Sequence, residues 1–113
     1  MLDSIMISPI QGGRAWTYAL RGGDAVLAVA ARPYAQRAEC DAVIAELFNR
    51  YEFDMTVRQR KDGRWGWELS KAGRPLLISP RSHGSPKSCG YAMRRVKRLI
   101  AELARTMAPP RRA

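Results

Sequence analysis

The sequence predicts an α+β fold, in which two tandem β-β-β-α repeats form two layers: an antiparallel sheet and two helices packed against it. The first observation is a repeat, because WTYAL at residues 16–20 returns as WGWEL at residues 65–69, an offset of 49. The second is that apolar and polar residues alternate in short runs between glycine-containing turns, as they do in strands. The third is that apolar residues recur at helical spacing where each copy ends.

The repeat extends over residues 16–47, which share five identities with residues 65–96 in 32 aligned positions. Unrelated segments would share roughly two at ordinary residue frequencies. Near-equivalent residues also occupy core-type positions, namely Tyr18/Trp67, Val29/Ile78, Ile44/Met93 and Leu47/Val96. We expect a single domain over residues 1–108, made of copies at about 1–50 and 51–107 that share one core or complete it in a homodimer. A disordered basic tail is expected at 108–113.

Three strands are predicted in each copy. The first copy places them at Ile5/Ile7, at 16–20 and at Leu27/Val29, with turns at Gly12-Gly13 and Gly22-Gly23-Asp24. The second copy places them at Phe53/Met55/Val57, at 65–69 and at Leu76/Ile78, with turns at 61–64 and Ala72-Gly73. Ala15 is one residue more than the second copy has, which predicts either a different turn or a bulge in the first hairpin.

Each copy ends in a predicted amphipathic helix. The apolar stripe of the first helix comprises Cys40, Val43, Ile44, Leu47 and Phe48, and this helix ends near Asn49. The stripe of the second, longer helix comprises Cys89, Ala92, Met93, Val96, Ile100 and Leu103. Ser85 is the predicted N-cap of the second helix, and Pro86 is its first residue, where the missing N–H costs nothing.

This pattern resembles the YegP-like family of small tandem-repeat proteins. The aromatic-rich hairpins, the third strand ending near Tyr34 and the short amphipathic helix carry the resemblance, which covers nearly the whole chain. In the second copy His83 stands where Tyr34 stands in the first, and Gly22-Gly23-Asp24 and Ala72-Gly73 replace the family's usual Asn-Gly. The resemblance implies the architecture only, since the family has no established activity.

The net charge of +10 is distributed unevenly between the copies. Residues 1–49 carry four basic and five acidic groups, a formal charge of −1, whereas residues 50–113 carry 16 and five, a charge of +11. An excess of that size favours a polyanionic partner through steering and counterion release. Charge alone leaves nucleic acid, an acidic protein surface and an anionic membrane open.

The remaining bulk features point to a cytoplasmic protein without a membrane partner. No apolar run approaches the ~20 residues that span a bilayer, and residues 1–10 lack the basic leader of a secretion signal. Two cysteines without such a signal predict reduced thiols.

No cofactor, metal site or catalytic centre is predicted. Cys40 and Cys89 occupy equivalent positions on the apolar stripes and are expected to be buried thiols. The single histidine, His83, cannot complete a zinc site with them. A catalytic pair of Cys89 and His83 is the weakest alternative, because no orienting group or oxyanion motif accompanies it.

Two aromatic and polar motifs have competing interpretations. The loop at residues 80–85, which contains His83, either places N–H groups around an anion or is an ordinary loop ending in a capping serine, which we favour. Trp16, Trp65 and Trp67 are either stacking platforms for bases or core residues beneath the helices; their alternation along the strands favours the core.

The candidate binding site is the polar face of the second helix. Opposite the apolar stripe, at about 100° per residue, the basic and aromatic residues are Lys87, Tyr91, Arg94, Arg98 and Arg105, flanked by Arg95 and Lys97 and joined by Arg81 from the preceding loop. The same face of the first helix carries Glu39, Asp41 and Glu46, so the fold does not require these cations. Alternatively, the cations serve solubility or pair with the acidic first helix, within the molecule or across a dimer.

These residues predict a small non-enzymatic protein that contacts the phosphates of DNA or RNA. Arg111 and Arg112 would add phosphate contacts, and the second hairpin would supply an auxiliary set comprising Arg58, Arg60, Lys61 and Arg64. The alternative is a protein-interaction module, such as a small inhibitor or accessory subunit that docks on an acidic surface or on a larger nucleic-acid machine.

Overall fold

A six-stranded antiparallel sheet and two α-helices form the fold in the computed structural model, which describes residues 5–49 and 53–107. The elements follow the chain as β1 (Ile5–Ile10), β2 (Ala15–Gly22), β3 (Ala25–Ala30), α1 (Arg37–Asn49), β4 (Asp54–Gln59), β5 (Trp65–Lys71), β6 (Arg74–Ile78) and α2 (Pro86–Met107). This order confirms the predicted α+β class. The predicted basic tail at 108–113 lies outside the described residues.

The two halves of the chain meet in the middle of one sheet. The strand order is β1-β2-β3-β6-β5-β4, so each half contributes three adjacent strands. The central pair, β3 and β6, is antiparallel and joins Val29 to Ile78 and Ala30 to Leu77. The sequence left this order open. The pairing shows that the halves share a sheet within one chain.

Both helices contribute to one hydrophobic core. α1 lies against β1 and β2, α2 lies against β3, β4 and β5, and the helices contact each other. Their buried residues include Cys40, Val43, Ile44, Leu47, Phe48, Cys89, Val96, Ile100 and Leu103. These are the residues of the predicted apolar stripes, and Ala92 and Met93 of the same stripes pack against the core while partly buried.

Bulges change which residues of the third strands face the core. The register shifts between Leu20 and Arg21 in the β2–β3 pair and between Leu69 and Ser70 in the β5–β6 pair. Leu76 and Leu77 are consequently both buried. Ile78, which pairs with Glu68, turns to the opposite face. The interpretation of Val29 and Ile78 as core positions is therefore wrong, because an inserted residue resets the alternation of a strand.

The extra residue of the first hairpin lies in its turn. The β1–β2 register is continuous from Ile5 opposite Leu20 to Ile10 opposite Ala15, so this pair has no bulge. A 3-10 turn at Gln11–Gly13 closes the hairpin, with positive φ at all three residues. Of the two predicted alternatives, the different turn is the one observed.

The start of α2 follows the prediction. The Ser85 hydroxyl oxygen accepts a hydrogen bond from the Ser88 N–H at 3.2 Å. Pro86 is the first helical residue. Ser85 thus satisfies one of the backbone donors that a helix N-terminus leaves without an intrahelical partner. Within the described part of the chain, neither helix combines the length and apolar character needed to cross a membrane.

Candidate functional site

The basic face of α2 lies in solvent. All eight predicted site residues are exposed: Arg81, Lys87, Tyr91, Arg94, Arg95, Lys97, Arg98 and Arg105. Tyr91 is 59% exposed, an unusual degree for an aromatic ring. The guanidinium carbon of Arg94 lies 5.1 Å from the centroid of this ring, a cation–π contact.

The geometry of the helix sets the reach of this basic face. At a rise of 1.5 Å per residue, the 18 steps from Lys87 to Arg105 span about 27 Å along α2. Arg94 and Arg98 are one turn apart near the middle, where like charges repel by a few tenths of a kcal/mol. The helix therefore presents a row of cations whose spacing is held by a rigid backbone.

Two of the acidic residues of α1, Glu46 and Glu39, have partners away from α2. The Glu46 carboxylate lies 3.2 Å from the Arg74 guanidinium and 3.9 Å from the Lys71 ammonium. Glu39 accepts a hydrogen bond from the Gln36 N–H at 3.0 Å, at the start of α1. Within residues 5–49 and 53–107, no ion pair joins Glu39, Asp41 or Glu46 to the basic face of α2. Neutralisation of α2 by α1 within one chain is thus not observed.

Two arginines of the auxiliary set have structural partners. Arg60 donates to the hydroxyl of Ser79 at 2.8 Å. Arg64 donates through Nε to the hydroxyl of Ser82 at 2.8 Å and through Nη2 to its carbonyl at 3.2 Å. Both side chains therefore tie the β4–β5 hairpin to the segment after β6. A donor engaged in the fold is less available to a ligand, and the auxiliary phosphate contacts of Arg58, Arg60, Lys61 and Arg64 stay a prediction.

Arg81 and Arg95 both line a cleft that the sequence did not predict. The cleft has a volume of about 220 Å³ and lies between the start of β3, the segment after β6 and α2. Its lining comprises Ala25, Val26, Leu27, Trp67, Pro80, Arg81, His83, Ala92 and Arg95. No sequence spacing signals such a site, since its residues come from four separate segments.

The loop at residues 80–85 ends in a capping serine, which is the interpretation that we favoured from the sequence. Its backbone is fixed to β5, because the His83 N–H donates to the Trp65 carbonyl at 2.7 Å and the Trp65 N–H donates back at 2.8 Å. The half-buried His83 side chain lines the cleft. The structure thus places the one imidazole beside Arg81 and Arg95, which the sequence did not predict.

The two thiols are core groups, as predicted. Cys40 and Cys89 are both 0% exposed. Burial raises the pKa of each thiol, and at Cys40 the neighbouring Asp41 and Glu39 carboxylates raise the pKa further. This environment disfavours the thiolate that nucleophilic catalysis requires. The described residues contain no group of three or more His, Cys, Asp or Glu side chains positioned to hold a metal ion.

The tryptophans belong to the core, as favoured. Trp67 is 2% exposed, and the partly buried Trp16 and Trp65 pack against the same cluster. The Arg37 guanidinium carbon lies 5.7 Å from the ring centroid of Trp16. The indole N–H of Trp67 is buried and has no hydrogen-bond acceptor among the described residues. Trp67 is also the most buried residue of the cleft lining.

Comparisons of the chain with protein-family models, with curated proteins and with solved structures give no match. The resemblance to the YegP-like family stays a prediction from the sequence.

Proposed function

We propose that this protein is a non-enzymatic binding protein that contacts nucleic-acid phosphates through the basic face of α2. The observation that carries the proposal is the row of exposed cations on one rigid helix, which α1 does not neutralise. The phosphates of a nucleic acid carry the negative charge that pairs with these cations, and the release of their counterions drives binding. The contacts are made to the backbone, so the binding discriminates little between sequences.

We further infer that the two halves are copies of one β-β-β-α unit and that only the second copy acquired the binding face. Structural features recur at an offset of 49: isolated bridges at Trp16–Tyr34 and Trp65–His83, and register shifts after Leu20 and Leu69. The central strand pair joins Val29 to its own equivalent, Ile78. Because the copies share these features but not their charge, the cations serve binding rather than folding.

The proposal includes a cytoplasmic setting. Cys40 and Cys89 lie on different helices and are both free thiols. Such thiols stay reduced in a cytoplasm, where a polyanionic nucleic acid is also available to α2.

The test is binding of random-sequence DNA and RNA duplexes by a charge-reversed protein. The double variant Arg94→Glu/Arg98→Glu is expected to lose at least about tenfold in affinity, since each reversal replaces a phosphate contact with repulsion. Both residues are exposed, so the unfolding transition should stay where it is. The matched control, Arg14→Glu/Arg37→Glu, makes the same change of net charge in the first half.

Equal losses in the two double variants would attribute binding to overall charge and contradict a site on α2. Absence of binding by the unmodified protein would overturn the proposal. If a stoichiometric protein partner then remained bound after nuclease treatment, the protein would instead be an interaction module.

A further inference from the structure

The cleft beside α2 has a counterpart at positions 49 residues away, and the two sites have opposite character. In the counterpart, Arg74 replaces Ala25, Tyr18 replaces Trp67, Tyr34 replaces His83, Val43 replaces Ala92 and Glu46 replaces Arg95. Each site combines a third-strand segment from one half with residues of the other half. The differences between them therefore show what the second site has gained.

The counterpart is closed by its own residues. The Tyr18 hydroxyl donates to the Leu76 carbonyl at 2.7 Å, and the Tyr34 ring stacks on Tyr18 with centroids 6.0 Å apart. These three residues are all buried. At its edge, the Glu46 carboxylate pairs with Arg74 at 3.2 Å. The Tyr34 ring, the Tyr18 hydroxyl and the charges of Glu46 and Arg74 therefore all have partners within the chain.

The cleft beside α2 lacks each of these partners. The smaller His83 replaces the Tyr34 ring, and a volume of about 220 Å³ is open. Trp67 replaces Tyr18, and its N–H has no acceptor among the described residues. Arg95 replaces Glu46, and the residues that line the cleft include no carboxylate. The site thus offers open space and the positive charge of Arg81 and Arg95 beside apolar walls.

We propose that this cleft binds one unpaired nucleotide of a single-stranded nucleic acid, a proposal that rests on the proposed function of α2. The apolar side chains of Leu27, Pro80 and Ala92 provide surfaces for the faces of a base. Arg81 and Arg95 provide guanidinium groups for the adjoining phosphate. His83, which also lines the cleft, provides a hydrogen-bonding group for the edge of the base.

The size and position of the cleft favour a single nucleotide. Its volume lies below the roughly 300–1,000 Å³ of sites for larger ligands, so one ring system occupies it. Arg95 follows Tyr91 by one helical turn, which connects the cleft to the exposed ring and cations of α2. Bases within a duplex are stacked and paired and cannot enter without being flipped out. A single strand can therefore use both the basic face and the cleft, whereas a duplex uses the basic face alone.

The test compares a mixed-sequence strand of about 12 nucleotides, as DNA and as RNA, with the duplex of the same sequence. The unmodified protein is expected to bind the strand at least about tenfold more tightly than the duplex. Two variants fill the cleft with partners of the kind that the counterpart has: His83→Tyr copies its ring, and Ala25→Glu supplies a carboxylate for Arg95, which exchanges the charges of the Glu46–Arg74 pair. Each is expected to remove the preference for the strand while leaving duplex affinity within about twofold.

Ala25 is exposed, so Ala25→Glu keeps the test decisive if His83→Tyr fails to fold. The control Ala42→Glu, an exposed position on α1, makes the same change of charge and is expected to retain the preference. Equal affinity of the unmodified protein for strand and duplex would overturn this proposal and leave the function of α2 standing. A preference for the strand that both cleft variants retain would also overturn the proposal for the cleft. Absence of binding to either nucleic acid would overturn both proposals.

Discussion

Glu46 and Arg74 form an ion pair across the two halves of the chain, with 3.2 Å between a carboxylate oxygen and a guanidinium nitrogen. The pair joins α1 to the start of β6 and also engages Lys71, whose ammonium donates to the Glu46 carbonyl at 3.1 Å. It uses the one acidic residue of α1 that is equivalent to a cation, Arg95, on α2. Glu46 thus pairs with cations of the other half, whereas the equivalent Arg95 lies exposed on α2.

Replacing Tyr18 tests the bond that closes the counterpart of the cleft. Tyr18→Phe removes the hydroxyl that donates to the Leu76 carbonyl, although that carbonyl keeps the Ala31 N–H at 3.2 Å. We expect a loss of about 0.5–1.5 kcal/mol in the free energy of unfolding, measured with urea. Tyr91→Phe is the control, since that hydroxyl is exposed, and should change the value by less than about 0.5 kcal/mol. Equal effects would show that the buried bond contributes nothing.

Replacing Ser85 tests the N-cap of α2. Ser85→Ala removes the oxygen that accepts from the Ser88 N–H and should cost about 1 kcal/mol of stability. Ser85→Asp restores an acceptor at the same place and should recover most of the loss, as judged from thermal unfolding. If the aspartate variant were no more stable than the alanine variant, capping would not explain the role of this serine.

The elements of the fold were predictable because their signals are local. Alternation around Trp67 and the stripe through Val96 each depend on a few neighbouring residues, and both predicted the right element. The outward turn of Ile78 was not predictable, since the bulge that causes it leaves no mark in residue type. The central pairing of Val29 with Ile78 was also hidden, because it depends on how two distant segments meet.

The candidate site was predictable only in part. The periodicity of α2 placed Arg94 and Arg98 on one exposed face, which the structure reproduces. The cleft was missed because its lining runs from Ala25 to Arg95 and exists only once the halves pair. One signal was present in the sequence: the exchange of Tyr34 for His83 between equivalent positions replaces a large ring with a smaller one.

Because the thiols of Cys40 and Cys89 are buried, we expect them to react slowly with thiol reagents. We also expect them to make the free energy of unfolding depend on pH. A thiol reagent such as Ellman's reagent should modify Cys40 and Cys89 slowly in the folded protein and rapidly in urea, because both are fully buried. Rapid labelling of the folded protein would contradict their place in the core.

The raised pKa values of the two thiols also determine how the free energy of unfolding changes with pH. Burial raises both above the ordinary value of 9.0, so the unfolded chain loses these protons first as the pH rises. The free energy of unfolding should therefore be fully retained below about pH 8 and fall as the pH rises towards about 10. Cys40→Ala/Cys89→Ala should fall less steeply over that range. An identical pH profile in the two proteins would show that the thiols do not contribute.

The measurement that tests the central claim most directly is a salt titration of binding to a random-sequence duplex. Four phosphate contacts from Lys87, Arg94, Arg98 and Arg105 predict that the logarithm of the binding constant falls with the logarithm of salt concentration at a slope of about −4. In Arg94→Glu/Arg98→Glu the slope should become shallower by about two. A flat response of the unmodified protein, or the same slope in both proteins, would contradict phosphate binding by α2.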